Sequence, residues 1–168
     1  MKAIELIQFS LQMTEGLTTR FADSLRGHAL TPATPGGKCG DGNHAIWTLG
    51  HLSVIEANVG NIVRGDPNPL EKWWPIFGMG SEPKYEAAGY PSLEELLKLY
   101  RHHRAENLKL LDEIGNDGLD QKPVNIPQGF EKEMRTIAHT FTTVAVHNMM
   151  HCGELADIRR VAGVKRFL

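Results

Sequence analysis

Four stretches of this 168-residue chain carry apolar residues at three- and four-residue steps, and glycine and proline fence each stretch from the next. In the first, about Lys2 to Arg26, the stripe is Ile4, Ile7, Leu11, Leu17, Phe21 and Leu25. The second runs from about His44 to Arg64, with Asn43 as its expected N-cap and Gly65, Asp66 and Pro67 ending it. The third opens at Ser92, where Ser-Leu-Glu-Glu has the form of a capping box, and reaches about Ile114. The fourth runs from about Glu131 to Val161. No alternating strand pattern competes. Amphipathic helices of this length must bury their stripes against one another, so the expectation is an all-α four-helix bundle forming one domain over residues 1–168.

The connections differ. Gly27 to Asn43 is dense in breakers, holding Pro32, Pro35, Gly36, Gly37, Gly40 and Gly42. Gly65 to Pro91 is a long linker with Trp73, Trp74, Phe77, Tyr85 and Tyr90. Long loops inside compact domains are uncommon and often functional, and this aromatic content predicts one that packs down on the body. The third linker, Asn116 to Gly129, contains Pro123 and Pro127.

Composition excludes several function classes. The net charge is −2, from 18 basic and 20 acidic residues well mixed along the chain, so there is no field to gather nucleic acid. No apolar run approaches the roughly 18 residues of a membrane span. No basic and then apolar leader follows Met1. Two cysteines, Cys39 and Cys152, are too few for a disulfide framework, and a reducing cytoplasm is the expected compartment.

The unusual feature is eight histidines. A step of about 100° per residue places them on their helices. His51 lies in the middle of the stripe formed by Trp47, Val54, Ile55 and Ile62, and His44 lies on nearly the same face. A buried ring needs a partner, which is either a hydrogen-bonding neighbour or a metal. His147 and His151, four apart, share one flank of the last helix, and such a pair can reach one point. Glu154 sits on that flank, where it can orient an imidazole, ligate, pair with a surface cation or act as a base. Arg104 and Asn107 fall on or beside the inward face of the third helix, His103 on its shoulder, and Asn148 faces inward from the fourth. These polar groups imply a lined cavity or an interhelical hydrogen-bond network. Cys152 points into the bundle as a buried thiol; His102 and His139 point to solvent, and nothing is assigned to His28. Three imidazoles from two helices suit Zn²⁺ or Ni²⁺ with coordination positions left open, the pattern of catalytic rather than structural sites.

Two segments carry a family resemblance. Ala45-Ile46-Trp47-Thr48-Leu49-Gly50-His51-Leu52 and His147-Asn148-Met149-Met150-His151-Cys152-Gly153-Glu154-Leu155 resemble the second-helix and last-helix motifs of the DinB/YfiT-like superfamily. The last-helix motif is of HxxxHxGQL type, and Glu154 stands where glutamine is usual. The resemblance implies a four-helix bundle with long loops and a metal held by His51, His147 and His151. It also implies a metal-dependent hydrolase, or a thiol S-transferase using a low-molecular-weight thiol, and a homodimer. On this reading Glu154 is catalytic, and His44, Trp47, Arg104, Asn107 and Asn148 line the pocket of a small-molecule substrate. The alternative is a non-enzymatic helical bundle that binds a metal or small molecule in a stress response; a third reading has buried histidines that only hydrogen-bond. No nucleic acid or membrane partner is expected.

Overall fold

A computed structural model describes residues 2–32, 34, 42–85 and 89–165. Cys39 and the rest of 35–41 in the first breaker-rich linker, together with residue 33, lie outside the described residues. Four long helices dominate: α1 (Ala3–Asp23), α2 (Ala45–Arg64), α4 (Leu93–Gly118) and α5 (Ile137–Val161). A fifth, α3 (Trp74–Phe77), is a single turn that follows a 3₁₀ turn at Glu71–Trp73. Among the described residues there is no strand, only an isolated bridge between Thr34 and Gly42. Nor is any helix there long and apolar enough to cross a membrane.

The long helices close a ring, α1 on α5, α5 on α2, α2 on α4 and α4 on α1. The predicted stripe of α1 is buried at Ile7 and Leu11, and Thr14, Thr18 and Ala22 continue it. Helix α2 is buried on nearly every side, from Ala45 through Val54 and on to Val63. A helix apolar all round belongs in the middle of its domain. Glu56 and Arg64 are the charged residues along its length. Leu49, Leu52, Leu96, Leu97 and Tyr100 form the core at one end; Leu11, Val59, Leu111 and Phe141 form it at the other. Each such side chain contributes about 1.5–3 kcal/mol relative to exposure.

Several boundaries differ from expectation. Helix α1 stops at Asp23, and residues 24–27 form turns that end at Gly27, with φ +79°. The N-cap of α2 is His44 rather than Asn43, because His44 Nδ1 accepts the backbone N–H of Trp47 at 3.1 Å. Ser92 caps α4 as predicted, accepting from Glu95 N. That helix runs past Ile114 through a kink at Gly115, whose φ of +64° suits glycine. Helix α5 starts at Ile137 and not near Glu131, because Thr136 supplies the cap by accepting from His139 N. Residues 131–134 form turns instead.

The second linker is not a structureless loop. It holds the 3₁₀ turn and α3, and it packs down as its aromatics predict. Phe77 is fully buried, Trp73, Trp74 and Tyr90 pack on the same core, and Tyr85 stays exposed. Gly50 makes this docking possible, since a Cβ there would collide with the Phe77 ring.

Candidate metal centre

His51 comes from the middle of α2, and His147 and His151 come from consecutive turns of α5. The two helices pack together, so residues nearly a hundred positions apart meet. Nε2 of His147 lies 3.2 Å from Nε2 of His51 and 3.1 Å from Nε2 of His151. Ligand atoms of all three rings fall within 4.8 Å of one another, which marks a group able to hold a metal ion among the described residues. His51 and His151 are buried, while His147 keeps partial exposure.

The proton inventory decides what these nitrogens are. His51 Nδ1 lies 2.6 Å from the carbonyl oxygen of Phe77, which only accepts, so that nitrogen carries the ring's proton. His151 Nδ1 donates to Oε2 of Glu154 at 2.8 Å. Both Nε2 atoms are therefore bare lone pairs in the neutral rings. His147 Nε2 touches both and can donate one proton to one of them. With that proton on Nε2 one of the two bare nitrogens still lacks a donor, and with it on Nδ1 both contacts set lone pair against lone pair; a cation relieves either case. Two nitrogens bound to a tetrahedral ion at about 2.05 Å lie about 3.3 Å apart, close to the spacing found. The donor set and its geometry fit a divalent metal. His147 Nδ1 is buried with no hydrogen-bond partner among the described residues, so this ring is oriented by packing and by its Nε2 neighbours.

Burial, first of all, disfavours the charged rings. It pushes His51 down to about 4 against the opposing pull of the Phe77 carbonyl, and His147 down to about 3 with the neighbouring imidazoles adding to the effect. Both stay neutral at physiological pH, the state a ligand must have.

The groups around the triad hold its rings. Trp47 stacks on His51 with centroids 4.9 Å apart and planes 7° from parallel. Its indole Nε1 donates to the carbonyl of Ile76 at 3.1 Å. Helix α3 thus presents consecutive carbonyls, Ile76 to Trp47 and Phe77 to His51. Glu154 accepts from His151 and from Asn43 Nδ2, the latter at 3.1 Å. Burial works to raise its pKa, but the hydrogen bonds from His151 and from the Asn43 amide outweigh burial and hold it below the ordinary carboxylate value. This carboxylate is engaged as an orienting partner of a ligating imidazole.

The residues expected to line a pocket separate into two places. His44 and Trp47 lie beside the triad but are consumed by structure. His44 Nε2 donates to the carbonyl of Lys84 at 2.9 Å, while its other nitrogen caps α2. Arg104, Asn107 and Asn148 do not face the triad; they surround Glu56 in the interior. Arg104 Nη2 lies 2.6 Å from Glu56 Oε1, Asn148 Nδ2 donates to the same oxygen at 2.9 Å, and Asn107 Nδ2 reaches Oε2 at 2.7 Å. Tyr100 Oη donates to Asn148 at 2.7 Å. This is the interhelical network, and Glu56 and Asn107 also border a cleft whose lining holds none of the three histidines. Burial disfavours the charge on Arg104, and the Glu56 carboxylate more than restores it. Sequence reasoning missed Glu56, although an acid alone in the uncharged interior of α2 was its signal. Cys152 is buried as expected, 3.2 Å from Thr18 Oγ1, and burial pushes its thiol pKa up, which disfavours the thiolate. His102 is exposed as predicted, whereas His139 is half-buried against Thr136 and Arg135.

A family model described as the DinB superfamily matches residues 10–155, a span that contains all three histidines. Among curated proteins, none matches the chain.

Proposed function

The chain belongs to the DinB superfamily, and on that premise we propose that it is a divalent-metal-dependent enzyme built on a four-helix bundle. His51, His147 and His151 would hold Zn²⁺ or Ni²⁺ and leave positions open for a small molecule. The bound cation would act as a Lewis acid that lowers the pKa of water or of a low-molecular-weight thiol, for hydrolysis or for S-transfer to an electrophile. The residues of the chain do the positioning. The Phe77 carbonyl fixes the tautomer of His51, Glu154 fixes that of His151, and Trp47 holds the His51 ring plane. Glu154, expected as a base, is read here as a positioning residue.

The observation that carries this reading is the pair of bare Nε2 atoms converging on His147 at 3.2 and 3.1 Å. The test starts with elemental analysis of untagged protein. Binding near one equivalent, abolished in His151→Ala, is the expected result; wild-type uptake by that variant would sink the assignment. Turnover is then sought with ester, amide and electrophile-plus-thiol panels. Metal held without turnover on any of them favours the non-enzymatic binder.

The proposal includes a homodimer. Helices α1 and α5 together expose Leu6, Phe9, Met13, Val146, Met149 and Met150, with Phe9 60%, Val146 64% and Met150 59% accessible. Contiguous apolar surface of this kind marks association faces. Light scattering of Phe9→Asp should show monomer where the wild type shows dimer; a monomeric wild type removes this part.

A further inference from the structure

Of the three histidines, His147 alone keeps partial exposure, so approach to the triad runs past its ring. That ring also forms part of the wall of a cleft between α2, α3, the residues before α5, and α5 itself. The space in the cleft open to the centres of water-sized spheres is about 60 Å³, well below the roughly 300–1,000 Å³ of whole small-molecule sites, so it is a narrow slot that suits one group of a ligand and not an entire one. Ile55, Ile62, Trp74, Met79, Phe130 and Met134 line it, and among the described residues no charged side chain does. The amide of Asn58 and the hydroxyl of Thr143 also border it, but both have partners inside the protein. Asn58 Oδ1 accepts from Asn68 at 3.2 Å, and Thr143 Oγ1 donates to the carbonyl of Glu133 at 2.8 Å.

We propose that this cleft seats an uncharged alkyl or aryl group of the substrate, with the polar reacting end of the same molecule at the histidine triad. The inference rests on the reading of the triad as a metal site with an open position. Its own support is the chemistry of the wall. Flat rings and thioethers pack well against apolar groups of varied shape. A phosphate, carboxylate or ammonium placed there would lose its hydration and find no counter-charge. The aromatic linker thereby gains a second role: Phe77 steadies a ligand ring, and Trp74, on the same short helix, lines the substrate side.

Methyl-resolved NMR titrations of ¹³C-methyl-labelled protein, Zn²⁺-loaded and metal-free, test this with three probes. These are acetohydroxamate, hexanohydroxamate and adipic monohydroxamate, which share a metal-binding head and differ in their tails. On the loaded protein, hexanohydroxamate should bind at least about tenfold tighter than acetohydroxamate, from burial of its extra methylenes. It should also outbind the carboxylate-tailed probe, and its shifts should centre on the methyls of Ile55, Ile62, Met79 and Met134. Met79→Asp, in an exposed loop position on the cleft wall, should erase the chain-length gain and leave acetohydroxamate within about twofold. Equal affinity for the short and long tails would overturn the proposal, as would shifts centred on Met13 and Met149 of the α1–α5 face. If hexanohydroxamate perturbs the cleft methyls equally with and without Zn²⁺, and acetohydroxamate binds neither form, the cleft assignment stands and the metal reading fails.

Discussion

The carbonyl oxygen of Phe77 lies 2.6 Å from Nδ1 of His51, and it reaches that point because residue 50 is glycine. The Phe77 ring occupies the space a Cβ at position 50 would take. A glycine in a helix interior costs about 1 kcal/mol relative to alanine, so its presence here needs a packing reason, and the docked linker is that reason. Gly50→Ala should therefore gain helix propensity and still destabilise the protein, by about 1–3 kcal/mol of overpacking. By displacing the carbonyl that orients His51, it should also weaken metal binding by about 10–100-fold. Chelator competition and thermal melts read the two effects; a stabilised variant with wild-type metal affinity would refute the link.

Replacing Glu154 separates an orienting group from a base. Glu154→Gln keeps an oxygen that can accept from His151 Nδ1, so metal affinity should stay within about tenfold of wild type, whereas Glu154→Ala should lose about 10–100-fold. If the carboxylate only orients the ring, turnover of the metal-saturated Gln variant should keep its pH profile. Loss of one limb of that profile at full metal occupancy would restore Glu154 as the base.

The parts of the site that follow helical periodicity were legible in the sequence. His51 sits mid-stripe, and His147 and His151 share a flank; since α2 and α5 pack together, angles on a wheel are enough to bring them near one another. Phe77 was not legible as a partner of His51, because no period governs where a linker docks, and Gly50 was a hint read only once the ring was seen against it. Arg104, Asn107 and Asn148 were placed correctly as inward-facing, but facing inward does not say toward what. The choice between a cavity and a network turned on Glu56, which carries a charge into the same interior. The cap of α2 slipped by one residue because an imidazole did the work that asparagine usually does.

In the metal-free protein, His51 and His147 titrate near 4 and near 3 when folded, against about 6.5 when unfolded. The unfolded chain thus binds more protons than the folded one below about pH 6.5, and stability must fall as the pH drops. The fall begins as the unfolded rings protonate and levels off once the folded rings are protonated too. Metal-free protein should lose melting temperature steadily from pH 7 to pH 4 (pH bounds about these values), and His147→Ala should flatten that loss. An identical slope in wild type and variant would show that the rings do not carry it.

Arg104 and Glu56, both essentially inaccessible, are joined at 2.6 Å in the middle of the bundle. Removing one partner strands the other charge where water cannot reach, so Arg104→Met should cost about 3–5 kcal/mol. Adding Glu56→Gln removes the stranded charge and keeps an acceptor for one of the two asparagine amides that donate to this side chain, so the double variant should still be more stable than Arg104→Met alone. The expected coupling is about 1–3 kcal/mol. Because the pair braces the helices and does not line the approach to the triad, affinity for metal and for small anionic substrates should stay near wild type in the folded double variant. A selective rise in KM for anionic substrates, with unchanged metal affinity and an unchanged melting temperature, would instead return Arg104 to the substrate site where its inward position first suggested it.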